Sequence, residues 1–296
     1  MKSLLLALSL LPLAAAEPAA KEKFLSNGEV KIGVDLSSGG SVFWFSELPA
    51  DRNLLNHHDR GRFIQQSYYG KPDGSKWAEK PWRWNPVQGG DYKGKPARVL
   101  ETREFKNGLY VKSVPVNWAS GQDIEECRME EWISLHGKVA KIRFRFTYSG
   151  TDEHPPAHQE LPAVFVDYAL EDMVFYKGDK PWTGAPLAKE KPGWPNEGRN
   201  ATEEWAGYVG PDGRGLGVHF PGSTHLTTYR YKGQPGPKGG GCSYFAPVRT
   251  MQIKPSFVHD YTIHLTIGTA EEMRQRFGDL RKAAAAPKPD AVGGER

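Results

Sequence analysis

The sequence has few cysteines, little net charge and no long apolar run beyond its first residues. Two cysteines in 296 residues exclude a disulfide-rich scaffold and a cysteine-rich zinc module. The formal net charge is +4, with 39 Lys and Arg against 35 Asp and Glu. It excludes the strongly basic surface that is typical of nucleic-acid binders, and we expect no nucleic-acid partner.

The cysteine pair leaves two possibilities open. Cys127 and Cys242 are far apart in the chain, so a bond between them would close a long loop and restrict the unfolded chain. Two buried, unpaired thiols fit the sequence equally well, because spacing does not place the two residues within bridging distance.

The N-terminal residues predict an export signal. Lys2 provides a positive start, residues 4–13 form an apolar run, and three alanines ending at Ala16 form a cleavage site of small residues. A membrane span needs about 20 apolar residues, and neither this run nor any later one is that long. We therefore expect a signal peptide over residues 1–16 and a secreted or periplasmic protein without a transmembrane segment, after cleavage near Ala16.

Alternating apolar and polar residues, interrupted by turn sequences, predict a series of β-hairpins. The predicted turns lie at Gly39-Gly40, Asn107-Gly108, His136-Gly137 and Pro211-Asp212-Gly213. Many short strands joined by such turns indicate an all-β protein, built as an antiparallel β-sandwich or barrel.

The end of the chain predicts one short helix and a tail. The helix runs from Ala270 to Lys282 and begins with a capping box formed by Thr269 and Glu272. Residues 283–296 are of low complexity, and we expect them to be disordered. No linker divides the remainder, which predicts a single β-domain over residues 17–282.

Residues 53–92 concentrate aromatic side chains together with planar polar ones. The apolar faces of sugar rings stack on Trp and Tyr, and sugar hydroxyls need paired donors and acceptors. This composition predicts a carbohydrate site, although the aromatics could instead pack a long loop. The candidate substrate-binding residues are Arg60, Arg62, Gln65, Gln66, Tyr69, Trp82, Trp84, Asn85, Gln88 and Asp91.

A second cluster, in residues 148–205, adds His158 and Asp167 as candidate sugar contacts. Its carboxylates Glu160, Glu203 and Glu204 are candidates for general acid or base, because hydrolysis of a glycosidic bond uses two such groups. The alternative for each of them is an ordinary surface position.

The sequence predicts no metal or cofactor site, and it leaves open a structural calcium ion held by Asp side chains and carbonyl groups. His57 and His58 are adjacent, and on an extended chain their side chains would point to opposite faces. His154 and His158 are separated by two prolines, which exclude a helix that would align them. The HExxH, EF-hand and CxxC motifs do not occur.

The N-terminal half contains "KIGVDLSSGGSVFWFSELPADRNLLN" followed by "HHDRGRFIQQSYYG". This order resembles the beginning of galactose mutarotase-like supersandwich proteins, the fold of aldose 1-epimerases and of domains in several glycoside hydrolases and polysaccharide lyases. The resemblance implies that fold and a carbohydrate substrate, with Arg60 or Arg62 as the arginine that holds the sugar. The segment "GRFIQQSYYG" is also similar to secreted bacterial proteins of unassigned function.

The chain departs from the epimerases in their catalytic motifs. The Asn-His acid motif has no counterpart at the expected place, and the last predicted strand, "VHDYTIHLTIG", contains no glutamate to act as the base. We therefore predict cleavage of a glycosidic bond in a polysaccharide or oligosaccharide rather than epimerisation.

Two mechanisms fit these residues. In β-elimination on a uronate, Arg60 or Arg62 with Gln66 would neutralise the carboxylate, His57 or His58 would remove the proton, and Tyr68 or Tyr69 would protonate the leaving oxygen. In hydrolysis, Glu160 would act together with Glu204 or Asp91. The competing class is a carbohydrate-binding protein without catalysis, in which the same residues bind and none transfers a proton.

Overall fold

Strands make up most of the structure, a computed structural model that describes residues 21–59, 61–234 and 239–285. Among these residues there are also one turn of 3-10 helix (Leu36–Ser38) and one α-helix, α1 (Ala270–Ala285). The strands are β1 (Glu22–Ser26), β2 (Val30–Asp35), β3 (Ser41–Glu47), β4 (Gln65–Ser67), β5 (Pro72–Trp77), β6 (Lys80–Arg83), β7 (Pro86–Val87), β8 (Arg98–Phe105), β9 (Gly108–Val114), β10 (Val116–Asn117), β11 (Cys127–His136), β12 (Val139–Tyr148), β13 (Ala157–Val166), β14 (Asp172–Phe175), β15 (Ala188–Glu190), β16 (Glu197–Asn200), β17 (Trp205–Val209), β18 (Arg214–His219), β19 (His225–Tyr231), β20 (Cys242–Met251) and β21 (Val258–Thr269).

Two large antiparallel sheets form a sandwich. The first has the order β10-β7-β4-β13-β20-β19-β16, and the second has the order β15-β14-β17-β18-β21-β12-β11-β9-β8. A smaller sheet, β1-β2-β3, and the separate hairpin β5-β6 complete the strands of the described residues. The prediction of an all-β antiparallel sandwich is confirmed.

The core lies between the two large sheets and follows from the alternation along their strands. On β12, Ile142 and Phe144 are fully buried, whereas the neighbouring Lys141, Arg143 and Arg145 are at least partly exposed. They pack in the same cluster as Val164 of β13 and Phe245 of β20, which belong to the other sheet. Apolar side chains at every second position therefore give each sheet one face toward the core and one face outward.

The predicted turns occur where the sequence places them. Gly39 and Asn107 adopt left-handed backbone conformations, with φ of 62° and 63°. The strands that flank each of these residues form an antiparallel hairpin. Gly137 and Gly213 likewise have positive φ in the turns between β11 and β12 and between β17 and β18. Glycine and asparagine tolerate this conformation better than other residues, which explains why local sequence located the turns.

Helix α1 begins with the predicted capping box. The backbone N–H of Thr269 donates to the Glu272 carboxylate at 2.9 Å, and the N–H of Glu272 donates to the Thr269 hydroxyl at 3.3 Å. The helix continues through Ala285, three residues beyond the predicted end at Lys282 and into the segment predicted to be a tail. Residues 286–296 and the predicted signal peptide lie outside the described residues. Within the described ranges, no helix is long and apolar enough to cross a membrane.

Candidate functional site

A cavity of about 320 Å³ lies on the outer face of the seven-stranded sheet. Gln65 and Ser67 of β4 line it, as do Ala163 and Phe165 of β13. The intervening Val164 packs into the core between the sheets. Because side chains alternate along a strand, the core-facing pattern of this sheet also determines which residues face the cavity.

Glu160 is the carboxylate at this cavity. The hydroxyl of Tyr244 donates to its Oε1 at 2.6 Å, and the hydroxyls of Tyr69 and Ser67 are also hydrogen-bonded to the carboxyl group. Burial raises the pKa of Glu160 above its usual value, although these hydrogen bonds act in the opposite direction. Burial also raises the pKa of Tyr69 and Tyr244 well above 10, so both stay protonated.

A β-bulge brings Glu160 to the cavity. The register of β13 shifts just after Glu160 against both of its neighbours. Against β4 the shift falls between Glu160 and Ala163, and against β20 it falls between Glu160 and Val164. In a regular strand, residues three positions apart face opposite sides of the sheet. The extra residue of the bulge removes this difference, so Glu160 and Ala163 line the same cavity. Bulges commonly redirect a side chain in this way beside functional sites.

Four tryptophans line the cavity in two groups. In the first group, the ring of Trp77 lies 4.9 Å from that of Trp82 and 6.1 Å from that of Trp118. In the second, the half-exposed Trp194 lies 4.9 Å from the ring of Tyr229. These groups offer flat apolar surfaces of the kind on which sugar rings stack.

Asn85 fixes the orientation of Trp82. The indole N–H of Trp82 donates to Oδ1 of Asn85 at 3.1 Å. The Asn85 amide in turn donates to the backbone carbonyl of Tyr68 at 2.7 Å. Since Asn85 is itself buried, it holds Trp82, which lies on the β5-β6 hairpin, against the large sheet.

Arg62 and Gln65 provide polar groups at the cavity. The guanidinium of Arg62 donates to the carbonyl of Gly240 at 3.3 Å and forms an ion pair with Asp59 at 3.4 Å. The amide N–H of Gln65 donates to the carbonyl of Gly61, whereas its Oε1 has no hydrogen-bond partner among the described residues. Among its described lining residues, the cavity therefore has one cationic side chain, Arg62, and one unused acceptor, Oε1 of Gln65.

Six of the residues proposed from the sequence line the cavity: Arg62, Gln65, Tyr69, Trp82, Asn85 and Glu160. His158 lines a depression that adjoins it. Sequence reasoning missed Trp118, Tyr229 and Tyr244. Tyr229 and Tyr244 stand in strands β19 and β20, and nothing local showed that their face was a cavity wall.

Two proposed aromatic residues pack in the interior instead. Tyr68 is fully buried, stacks on Phe146 at 3.9 Å, and its hydroxyl is 3.2 Å from Nδ1 of His259. Trp84 is buried as well and stacks on the ring of His154 at 4.0 Å. At both positions the structure agrees with the packing alternative for these aromatics.

Three proposed polar residues hold loops and strands together. Gln66 is buried, and its side chain donates to the carbonyl of Glu130. Gln88 is also buried and donates to the carboxyl group of Glu131 at 3.1 Å. Asp91 accepts backbone N–H groups within its own loop. None of the three lines the cavity.

The proposed histidine pair lies outside the cavity as well. The rings of His57 and His58 are only 3.8 Å apart, so the expectation that they point to opposite faces was wrong. The chain between Leu55 and Asp59 belongs to no strand, and strand alternation does not apply to it. Asp167 accepts the N–H of Ala169 in a turn and does not line the cavity either. Arg60 lies outside the described residues.

The two glutamates at 203 and 204 also lie away from the cavity. Glu203 is fully buried and forms a two-atom ion pair with Arg274 of α1, at 2.5 and 2.9 Å. Glu204 stands in a turn with φ of 56°. In the described residues, the cavity therefore has Glu160 as its single lining carboxylate.

In the described part of the chain, no group of three or more His, Cys, Asp or Glu side chains is arranged to hold a metal ion. The structural calcium ion that the sequence left open is not tested by this finding. Cys127 and Cys242 are both buried and unpaired, and they belong to different clusters of core side chains, which agrees with the second of the two possibilities for this pair.

No family model matches the sequence, and no curated protein matches it. Solved structures do match the fold. A galactose mutarotase-like protein from Lactobacillus casei has a TM-score of 0.55 at 10% identity, over 83% of this chain and 100% of that one. A putative aldose 1-epimerase from Escherichia coli has a TM-score of 0.53 at 11% identity, over 84% of this chain and 99% of that one.

The chain has the galactose mutarotase-like fold. A family 36 α-galactosidase from Geobacillus stearothermophilus contains a similar region, with a TM-score of 0.53 at 10% identity, over 86% of this chain and 40% of that one. The resemblance seen in the sequence is thereby confirmed for the fold. In this galactose mutarotase-like sandwich, the cavity is formed on the outer face of the sheet that contains β4 and β13.

Proposed function

We propose that the cavity binds a carbohydrate and that the protein cleaves a glycosidic bond there by β-elimination on a uronate. The observation that carries the proposal is the position of Glu160. It is a buried carboxyl group with a raised pKa, hydrogen-bonded to two tyrosines, in a cavity lined by tryptophans. Several solved proteins of the same fold are named for action on sugars, which supports this substrate class.

The proton transfers can be assigned to two side chains in direct contact. Glu160 takes the proton from C5 of the uronate, and the electron pair of that C–H bond forms the double bond between C4 and C5. The C4–O bond breaks as the Tyr69 hydroxyl gives its proton to the leaving oxygen. The hydrogen bond between the two side chains then returns the proton from Glu160 to Tyr69.

Besides a base and an acid, elimination needs a group that neutralises the carboxylate of the uronate, and Arg62 fits this role. A proton next to a carboxylate becomes acidic enough to remove only when the negative charge of that carboxylate is neutralised. A guanidinium forms paired hydrogen bonds with a carboxylate and keeps its charge at any accessible pH. Arg62 therefore keeps the task that the sequence-based scheme gave to Arg60 or Arg62 with Gln66, whereas Glu160 takes over the proton removal assigned there to His57 or His58.

Elimination is favoured over hydrolysis by the number of carboxylates. Hydrolysis uses two of them on opposite sides of the bond, and of the described residues that line the cavity only Glu160 is acidic. Glu204 and Asp91, the partners proposed from the sequence, do not line it.

The test is incubation of the purified protein with polygalacturonate, alginate and a neutral galactan. We expect the ultraviolet absorbance of an unsaturated uronate from an acidic polymer and a loss of at least ~100-fold in turnover in Glu160→Gln. Glu130→Gln is the matched control, because Glu130 accepts a 2.6 Å hydrogen bond from Tyr110 on the other large sheet. New reducing ends without absorbance would instead indicate hydrolysis, and binding without either product would indicate a binding protein.

A further inference from the structure

The cavity is the middle section of a longer cleft. It shares Tyr69, Trp82, Glu160 and Asn196 with an adjoining depression, which we call the His158 section. The wall residue Trp194 also lines a second depression, which has no lining residue in common with the first. We call the second depression, which continues along β19, the Arg230 section.

Trp194 joins the middle section to the Arg230 section. Its ring lies 4.9 Å from that of Tyr229, which lines the middle section, and 5.1 Å from that of Tyr231, which lines the Arg230 section. At 55% exposure it is the most exposed large apolar side chain of the described residues. An aromatic platform that reaches both sections suits a ligand that extends from one into the other.

Each section of the cleft contains a positively charged side chain. Arg83 lines the His158 section, and Arg62 lines the middle section. The third section has Arg230 and Lys232. Over the described residues of all three sections, the single acidic lining residue is Glu160, whose pKa is raised by burial.

The other depressions described on this protein have a smaller imbalance. One is lined by Glu47 and Asp212 together with Arg52 and Arg214, so its charges balance. Another has two cations and one carboxylate, and this carboxylate, Glu190, is in contact with both Lys177 and Arg199. The excess of cations is therefore larger in the cleft than in these depressions.

Arg230 is built into the fold rather than loosely attached to its surface. The residue is only 4% exposed, its guanidinium lies 4.4 Å from the ring centre of Tyr168, and one of its terminal nitrogens pairs with Glu171 at 2.8 Å. The other terminal nitrogen has no hydrogen-bond partner among the described residues. A guanidinium held in this manner keeps its positive charge at a fixed place in the wall of this section.

We propose that the cleft binds an acidic glycan chain, with one anionic sugar in each of its three sections. This inference rests on the proposed function for the location of the site and adds the extent of the substrate, a chain with an anionic sugar in each section. The shared chemistry is a sugar ring that stacks on an aromatic side chain and bears a carboxylate or sulfate group paired with a cation. A single sugar would occupy only the middle section.

The test measures binding by the Glu160→Gln protein, so that turnover does not interfere. The probes are polygalacturonate and alginate as carboxylated chains, carrageenan as a sulfated chain, a neutral galactan, and galacturonic acid. We expect an acidic chain to bind at least about tenfold more tightly than the neutral galactan and galacturonic acid. The comparison of carboxylated with sulfated chains identifies the anionic group.

Arg83→Gln and Lys232→Gln probe the two outer sections, with Arg52→Gln as the matched control in a charge-balanced depression. Each of the first two should weaken binding of the acidic chain by about threefold to tenfold and leave galacturonic acid unaffected, whereas Arg52→Gln should change neither. Arg230→Gln should have the largest effect, provided that its circular dichroism spectrum is unchanged.

Three results would overturn the inference: equal affinity for the neutral galactan, no effect of both outer-section variants, or equal affinity for single-stranded DNA, which would indicate a general polyanion surface. These results are distinct from failure of the proposed reaction. Tight binding of an acidic chain that the unmodified protein leaves intact would retain the cleft and remove the lyase assignment. Cleavage of a neutral chain would retain a catalytic cavity and remove the acidic substrate.

Discussion

The hydroxyl of Tyr244 on β20 donates a 2.6 Å hydrogen bond to Oε1 of Glu160 on β13. The two residues are 84 positions apart in the chain and stand on neighbouring strands of one sheet. The bond stabilises the charged form of a carboxyl group whose burial favours the neutral form. Tyr244 thus limits how far the pKa of Glu160 rises.

Removing this hydroxyl should change the pH dependence of activity. Glu160 acts as the base only when ionised, so activity falls as the pH decreases through its pKa. Tyr244→Phe should raise that pKa by about one unit, because a hydrogen bond to a charged group contributes about 1.5–3 kcal/mol. The measurement is kcat/KM against pH. Tyr110→Phe removes the equivalent bond to Glu130 and should leave the profile unchanged.

The stacking surface of Trp82 should affect substrate binding more than chemistry. Trp82→Ala should raise KM at least about tenfold, equivalent to ~1.4 kcal/mol, with kcat reduced much less. Asn85→Ala should act in the same direction, since it frees the indole of Trp82. Trp132→Ala is the control: Trp132 lies on β11 of the other sheet, beneath Arg143. Equal effects of Trp82→Ala and Trp132→Ala would contradict a stacking role.

The buried ion pair between Glu203 and Arg274 should hold helix α1 to the sandwich. Glu203 also accepts hydrogen bonds from the indole N–H of Trp205 at 3.0 Å and from the backbone N–H of Trp182 at 2.6 Å. Glu203→Ala leaves all three donors without their acceptor and should lower the free energy of unfolding by about 3 kcal/mol or more. Chemical denaturation measures it. Exposed Glu271, on the first turn of the same helix, provides the control Glu271→Ala, for which we expect a change below ~0.5 kcal/mol.

Glu131 should make the protein less stable as the pH rises. It is fully buried between the sheets, and burial raises its pKa from 4.5 to about 8. Between these values the folded protein keeps a proton that the unfolded chain has lost, so the free energy of unfolding decreases at up to ~1.4 kcal/mol per pH unit. The stability that protonated Glu131 contributes is fully present below pH 4.5 and is lost as the pH rises through about 8.

Glu131→Gln removes this titration. Its free energy of unfolding should depend less on pH over that window, and the variant should be the more stable protein at the upper end. Denaturation at several pH values measures both slopes. Parallel curves for the two proteins would show that Glu131 keeps an ordinary pKa in the folded state.

Several features were predictable because their causes are local. Asn107 adopts a left-handed conformation that its neighbours in the sequence already favour, and Thr269 and Glu272 cap α1 within one helical turn. Tyr68 and Tyr69 illustrate the limit of such reasoning. They are adjacent and chemically identical, yet the first is buried against Phe146 and the second lines the cavity with Glu160. Their positions just after β4 distinguish them, since one side chain turns toward the interior and the other toward the outer face of the sheet.

The sequence by itself determined the hairpins, the capped helix, the all-β class and the aromatic and polar composition of the site, since each depends on residues close together in the chain. The tertiary structure decided which of those residues meet. Glu160, Tyr69 and Tyr244 come together because β13 pairs with both β4 and β20 and because a bulge displaces Glu160. Strand order and register depend on how the whole core packs, and no local pattern specifies them.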